Sequence, residues 1–441
     1  MKTMPIDIGI CQIRPVVGDI EGNIRAIADA VASAATMGAR IAVVPECAVS
    51  GYPAEDLWLD ESFVDACMAH VHELAGMISV PAIIGCPRRV SGTVRNSCAF
   101  VRDGRVESWY DKQCLPNYGV FDEERWFTAG TDGCVVELDG VRIGLSICED
   151  IWVGGAMAAT YPVGSIDLLV NLSASPFHTG RAPQREEIVA RRARELGAAV
   201  VLCNQVGGQD ELVFDGGSTA VAVDGTTVVR CAQFVEVVEC CRATPHESSA
   251  APWLSGHAEL WEALRCGLSD YVTKNRFGDV VIGVSGGIDS AVVATLAVDA
   301  LGSDRVHAVT LPSTITGSDT LSDAHELAQR LGIDCQEIPI EPVMDAFLRQ
   351  LAPSLDPSTG PDIMEENLQA RIRGTMLMAL SNRYGWLVLT TGNKSETAVG
   401  YSTLYGDTAG GFAPIKDVSK SLVWELARWR NQQTPPDAGL E

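Results

Sequence analysis

The amino-acid sequence predicts an α/β protein in two units, and three observations carry that expectation. Short β-branched runs alternate with helix-like stretches through the first half. Asp-Gly pairs between such runs mark hairpins and give that half substantial antiparallel content. After an interruption rich in Ala, Ser and Pro, helices and strands alternate as in a doubly wound parallel sheet.

Taken in order, the strand candidates of the first half are Ile6–Ile13, Ile41–Pro45, Ala82–Gly85, Ser97–Val101, Val135–Leu138, Val141–Ile147, Leu168–Asn171, Val200–Asn204 and Ser218–Val223. They are β-branched and bounded by Gly, Pro, Asp or Asn, as buried strands are. Helices are expected at Asn23–Thr36, Phe63–Ile78 and Arg185–Leu196, and hairpin turns at Asp103-Gly104, Asp139-Gly140 and Asp224-Gly225. The segment ATPHESSAAPW, at 243–253, has no period, so the domains are placed at 1–243 and 257–441 with a linker at 244–256. The second half opens with a helix near 257–274 and a strand at Val280–Val284.

Composition narrows the function classes. A hydrophobic fraction of 46% with 20% charged residues is that of a globular protein and argues against disorder. A net charge of −24 disfavours nucleic acid or an anionic membrane as partner, since both need basic surface. A small phosphate site needs only local donors and stays open. No apolar run reaches the roughly 18 residues of a membrane span, and the reading is cytoplasmic. The 14 cysteines form no paired CxxC units, so zinc spacing is absent, and most read as small apolar filler.

Three polar residues stand at or past the ends of apolar runs, where an open sheet exposes its working edge. Ile41–Pro45 delivers Glu46, the segment Ser108–Pro116 carries Lys112, and Val141–Ile147 delivers Cys148. Splitting an amide needs such types. A thiolate is a good nucleophile, a carboxylate can take its proton and return it to leaving ammonia, and a cation can stabilise the oxyanion. Read singly, each is bland: a solvated loop acid, a surface lysine, a core cysteine.

Their context is more specific. VVPECAVSGYP, YDKQCLPNYGVFDEERWFTAG and GLSICEDIW resemble, in order and spacing, the three signature stretches of the nitrilase, or carbon–nitrogen hydrolase, superfamily. The resemblance runs to about residue 240 and implies a nitrilase-like α-β-β-α sandwich with Glu46, Lys112 and Cys148 as catalytic triad. By the same resemblance Cys47 and Cys114 do not occupy the nucleophile position. It is nearest to the glutaminase branch fused to NAD synthetases, which implies glutamine contacts at Tyr118, Ser175 and Arg181.

In the second half, GVSGGIDS spans Gly283, Val284, Ser285, Gly286, Gly287, Ile288, Asp289 and Ser290 between a strand and a helix. Glycines permit close backbone approach, and the helix N-terminus turns N–H groups towards an anion. The Lys of the GxxxxGK[ST] nucleotide loop is missing. SGGIDS resembles instead the pyrophosphate-binding loop of ATP pyrophosphatases, which implies a doubly wound, adenine nucleotide hydrolase-like domain.

ENLQARIRGTMLMALSN, LVLTTGNKSETAVGYSTLYGD and GGFAPIKDVSK are similar to the NAD synthetase domain among those enzymes. That similarity implies ATP contacts at Thr391 and Lys420 and along the loop. It implies Mg²⁺ held by Asp289 and Glu396, and deamido-NAD contacts at Arg371, Glu396 and Asp407. Leu404 departs from the lysine of ammonia-dependent members, so that contact is not carried over. The reaction implied is glutamine-dependent amidation of deamido-NAD to NAD with ATP, releasing AMP and pyrophosphate. The resemblance also implies a homo-oligomer and a sheltered passage for ammonia. Two other readings stay open. One is an amidotransferase for another carboxylate. The other is a shortened chain active only as glutaminase or scaffold, because the resembling enzymes continue beyond Ser419–Arg430 whereas this sequence ends in NQQTPPDAGLE. On that reading the chain hydrolyses glutamine but forms NAD poorly.

Overall fold

The computed structural model describes residues 4–243, 249–314, 316–355 and 363–433. Part of the expected linker, 244–248, and the end of the sequence read as a shortened terminus, 434–441, lie outside the described residues. The chain divides into two compact units, the first ending at Ser255 and the second beginning at Gly256.

In chain order the first unit contains strands β1 (Ile8–Gln12), β2 (Ile41–Val43), β3 (Ala82–Val90), β4 (Thr93–Arg102), β5 (Arg105–Asp111), β6 (Val135–Leu138), β7 (Val141–Ile147), β8 (Leu168–Ser173), β9 (Ala199–Asn204), β10 (Val206–Gln209), β11 (Leu212–Asp215), β12 (Thr219–Val221), β13 (Thr227–Arg230), β14 (Val237–Cys241) and β15 (Ser249–Ala250). Its helices are α1 (Ile20–Thr36), α2 (Glu61–Ala75), α3 (Glu123–Trp126), α4 (Ala156–Thr160) and α5 (Arg181–Leu196).

Two sheets form, ordered β14-β1-β2-β3-β4-β5 and β15-β13-β12-β9-β8-β7-β6, with β10 and β11 as a separate hairpin. Period-2 alternation divides each strand between two apolar layers. Ile8, Ile10, Ile41, Val43 and Ile83 meet Ile143, Leu145, Ile147, Val170 and Val201 between the sheets. On the outer faces Ile27 and Val31 of α1 and Leu74 of α2 pack on Ala42, Val44 and Ile84, while Val189 and Leu196 of α5 pack on Leu169, Val200 and Leu202. The result is an α-β-β-α sandwich, as expected. All three Asp-Gly pairs lie between antiparallel neighbours, with Gly104, Gly140 and Gly225 at positive φ.

The second unit has strands β16 (Val280–Gly283), β17 (Val306–Thr310), β18 (Asp334–Glu337) and β19 (Leu387–Leu389). Its helices are α6 (Gly256–Lys274), α7 (Ile288–Leu301), α8 (Ser318–Leu331), α9 (Glu341–Leu351), α10 (Ile363–Tyr384), α11 (Lys394–Val399) and α12 (Lys420–Arg430). The sheet is parallel throughout, in the order β18-β17-β16-β19. Trp261, Leu296, Ala324 and Leu426 cover one face; Met344 and Ile372 cover the other. The chain steps outwards from β16 to β18 and then crosses to β19 on the far side of β16. The switch point therefore lies between β16 and β19, where open α/β sheets bind ligands.

One glycine positions the first site. A Cβ on Gly85 of β3 would lie 2.2 Å from the Pro45 carbonyl oxygen and 2.5 Å from the Cys47 nitrogen. The backbone carrying Glu46 passes directly over that position. Gly85→Ala is expected to cost about 1–3 kcal/mol as a forced overpacking and to lower activity through displaced Glu46. Urea unfolding monitored with a glutamate-release assay checks both.

Candidate functional site

In the first unit the ends of three strands bring together Glu46, Lys112 and Cys148. Glu46 follows β2, Lys112 follows β5 and Cys148 follows β7, and all three are buried. Glu46 Oε1 accepts from Lys112 Nζ at 2.7 Å and from Asn96 Nδ2 at 2.7 Å; Oε2 accepts from the Ala174 backbone N–H at 2.8 Å. Both lobes of the carboxylate are thus fixed.

A second carboxylate shares the lysine. Lys112 Nζ donates to Glu123 Oε1 at 2.8 Å and Oε2 at 2.9 Å, and Tyr52 donates to Glu123 Oε1 at 2.8 Å. Burial opposes the charge on Lys112, but Glu123 and Glu46 outweigh it and hold the ammonium protonated.

Cys148 has φ of 40°, a strained value for a side chain with a Cβ, at the start of the turn Cys148–Ile151. Asp150 secures that turn. Its Oδ2 accepts from Ile147 N and Tyr110 OH, each at 2.8 Å, and its Oδ1 accepts from Gln113 N and Cys114 N at 3.1 and 2.9 Å. One carboxylate therefore registers the cysteine turn against the lysine loop. Burial, and next the Glu46 carboxylate, push the Cys148 thiol well up, with Lys112 acting the other way. The Glu46 carboxylate and the Lys112 ammonium thus act on the thiol in opposite senses.

Burial pushes the Glu123 carboxyl up to about 7, against the pull of Lys112. Between 4.5 and about 7 the folded chain then holds a proton that the unfolded chain releases, so this group lowers stability as pH rises through that window. Glu123→Gln removes the effect. The melting temperature of the variant relative to the parent is expected to rise across that interval. Parallel curves in a pH series of thermal melts would count against it.

Polar side chains gather near the cysteine. Tyr118 OH donates to Glu149 at 3.0–3.1 Å, and the Arg181 guanidinium lies 3.7 Å over the Trp152 ring. Cys148, Tyr118 and Glu149 all act electrostatically on Arg181, whose charge is disfavoured chiefly by burial. Ser175 N donates to Asn204 Oδ1 at 2.8 Å, while Ser175 Oγ and Arg181 Nε are buried and without a hydrogen-bond partner among the described residues.

In the second unit, the loop after β16 borders two adjoining cavities of about 580 and 340 Å³. Ser285, Thr391 and Asp407 line both. The larger also takes in Gly283 and Val284, with the apolar side chains of Val309, Leu311, Leu377 and Leu389; the smaller takes in Gly287, Asp289, Ser290 and Glu396. Gly286 has φ of 78°, and a Cβ there would lie 2.2 Å from the Thr320 carbonyl oxygen, so the position requires glycine. The loop is braced internally: Ser290 Oγ donates to Gly287 O at 2.9 Å, and Gly287 N donates to Ser285 Oγ at 3.2 Å. Gly286 and Ile288 turn towards a different groove beside α8 and α12.

Asp289 is ion-paired with Lys420 through Oδ2, and its Oδ1 accepts from Asn393 Nδ2 at 3.0 Å. Asn393 caps α11 reciprocally with Glu396, each backbone N–H donating to the other side chain at 3.0 Å. Asn393 thereby joins the two carboxylates. Among the described residues no group of three or more His, Cys, Asp or Glu is arranged around a common metal position.

A family model described as carbon–nitrogen hydrolase matches residues 7–240, and one described as NAD synthase matches residues 260–438. The chain is 44% identical to the glutamine-dependent NAD(+) synthetase of Xanthomonas campestris pv. campestris over 96% of its own length and 78% of that protein. The chain belongs to the glutamine-dependent NAD(+) synthetases. The member from Thermotoga maritima is 41% identical, over 96% of this chain and 80% of that protein. Among solved structures, the glutamine-dependent NAD+ synthetase of Acinetobacter baumannii in complex with adenosine diphosphate superposes with a TM-score of 0.92 at 38% identity, covering 98% of this chain and 83% of that one. As a member of the NAD(+) synthetases this chain is an enzyme, with a glutaminase-type and an NAD synthase unit in one polypeptide.

Within this synthetase the sequence-predicted residues do not all meet. Arg371 borders neither cavity; it is exposed, with Nε donating to Leu404 O at 3.2 Å. Arg373, two positions on, lines the larger cavity instead and donates to Leu311 O at 3.0 Å. Sequence reading also passed over Asn96, Glu123, Asp150 and Asn393. Glu123 lies in the stretch FDEERW, where three acids stand together and only burial tells them apart. Among the described residues no helix is long and apolar enough to cross a membrane.

Proposed function

We propose that Cys148 attacks the side-chain amide carbon of glutamine while Glu46 takes the thiol proton and passes it to the leaving nitrogen. Lys112 stabilises the oxyanion. Ammonia departs, and water activated by Glu46 cleaves the glutamyl thioester to glutamate. Tyr118, Ser175 and Arg181, with Glu149 beside them, hold the amino-acid end, with the substrate's ammonium at Glu149 and its carboxylate at Arg181, so that each charge meets its opposite.

In the second unit the larger cavity takes the adenosine of ATP against its apolar wall, and the loop Gly283–Ser290 takes phosphate at the start of α7. A carboxylate oxygen of deamido-NAD attacks the α-phosphorus, pyrophosphate leaves, and ammonia displaces AMP from the acyl adenylate to give NAD. Asp289 and Glu396 border one cavity and offer only oxygen, a donor set that suits Mg²⁺ with its remaining ligands from phosphate and water. When bound, the ion neutralises phosphate charge. Lys420, beside Asp289, stabilises charge on the reacting phosphate, and Asp407 orients the acceptor. Self-association into a homo-oligomer belongs to the same reading.

The observation that carries this is the presence in one chain of the buried Glu46–Lys112–Cys148 group and of SGGIDS at the switch point of a parallel sheet. The test is NAD formation by residues 1–441 with glutamine, ATP and Mg²⁺, comparing deamido-NAD with simple aromatic carboxylates. Activation of the other acids but not of deamido-NAD would overturn the assignment.

A further inference from the structure

Helix α5 presents three side chains in different directions over its first two turns. Arg181 faces Trp152 and Cys148, Arg185 enters the interior of the unit, and Glu186 meets the segment that leads towards the second unit. That segment is docked, not loose. β15 pairs with β13, Trp253 Nε1 donates to Glu186 Oε2 at 2.9 Å, and the Trp253 ring lies 4.5 Å from the Arg230 guanidinium. Arg230 in turn donates to both oxygens of Glu186, at 2.8 and 2.9 Å. Gly217 makes room for the ring: a Cβ there would lie 2.9 Å from Trp253 and 3.2 Å from Arg185 Nη2.

The next residue continues inwards. Leu254 N donates to Gln233 Oε1 at 2.9 Å, and Gln233 Nε2 donates to Asp215 Oδ2 at 3.2 Å. Asp215 is fully buried and accepts from Arg185 Nη2 at 2.8 and 2.9 Å, and the same nitrogen donates to Gly216 O at 2.8 Å. Gly216 O also accepts from Asn204 Nδ2 at 2.9 Å, and Asn204 Oδ1 accepts from Ser175 N. One side of the network thus ends on Ser175 and the other on α5, one turn from Arg181. Buried networks of this kind restrict a site to one arrangement, because each broken bond leaves a polar group unpaired in a low-dielectric interior.

We infer that Trp253 and Leu254, docked on Glu186 and Gln233, position Arg181 and Ser175 and so set the affinity for glutamine. The inference rests on Arg181 and Ser175 being the glutamine contacts proposed above. Glu186, Gln233 and Arg185 are positioning residues. None of them touches the reacting atoms, so they act on capture of the amino-acid end and not on the thiol.

The experiment uses the full chain with Trp253→Phe, which keeps a ring but removes the donor, and Gln233→Met, which keeps the volume but removes both bonds. Arg181→Lys is the control for the glutamine site. Glutamate release gives KM and kcat, and the rate of inactivation by iodoacetamide reads the Cys148 thiol without an amino-acid end. Each positioning variant is expected to raise the glutamine KM about three- to tenfold, the size of one weakened hydrogen bond, with kcat and the alkylation rate as in the parent. An unchanged KM in both, with KM raised in Arg181→Lys, overturns the inference and leaves the glutamine site standing. An unchanged KM in all three removes the glutamine-site assignment and the inference with it. A fall in kcat together with slower alkylation assigns the network to general integrity of the fold and also overturns the inference.

Discussion

Cys148→Ala is expected to abolish glutamine hydrolysis, with glutamate release falling by about 10⁴-fold or more, while NAD formation driven by ammonium salts stays at the parent level. The reason is the placement of the group. Glu46 is fixed by Lys112, Asn96 and the Ala174 N–H, and the cysteine occupies a strained turn secured by Asp150. Cys47 comes near that setting, buried beside Glu46 with a φ of 47°, but it does not share the turn that Asp150 secures. Cys47 is equally buried but bonds to Asn96 Oδ1, and Cys114 follows the lysine loop. On the proposed mechanism, removing Sγ deletes the nucleophile and leaves Glu46 and Lys112 without a reaction to serve. Ammonium bypasses this step, since the synthetase chemistry belongs to the second unit. Glutamate release by the variant at the parent rate would show that another group attacks.

Asp289→Asn is expected to lower ATP-dependent NAD formation by about 10²–10³-fold, the size found when one charged stabiliser of a reacting group is lost, with glutamine hydrolysis assayed alone unchanged. Asp289 pairs with Lys420 and accepts from Asn393, which also binds Glu396. The neutral amide removes the anion that holds Lys420 in place and one of two carboxylates suited to a hard cation. Isotope exchange between pyrophosphate and ATP, with deamido-NAD present, separates adenylylation from amide formation. Unchanged exchange in the variant would remove Asp289 from the phosphate site.

Much of this architecture follows from local sequence. Apolar runs such as Val141–Ile147 and Leu168–Asn171 are strands because β-branched residues bounded by turn formers suit a pleated, buried surface, and both are strands in the structure. Asp103-Gly104 and Asp139-Gly140 make hairpins because Asp and Gly tolerate positive φ. The SGGIDS loop and the order Glu46, Lys112, Cys148 were legible because the short stretches around them resemble known families, whereas the residue types read singly were bland. Strands with polar content were less visible. Arg105–Asp111 alternates charged and apolar residues, and its strand character depends on pairing with Thr93–Arg102.

What the sequence determined by itself, then, is the two chemistries and the class of fold that bears each. What only the tertiary structure decided is which polar groups cooperate. Glu123 differs from its acidic neighbours because it alone is buried against Lys112. Arg373 and not Arg371 lines the larger cavity because two positions along a helix turn a side chain about 200° round the axis. Trp253, in a segment composed like a linker, belongs to the first unit because Glu186 and Arg230 receive it. The physical reason is common to these cases. A charge acquires its role from burial and from partners tens to hundreds of residues away, and sheet order, not local composition, brings those partners within hydrogen-bonding distance.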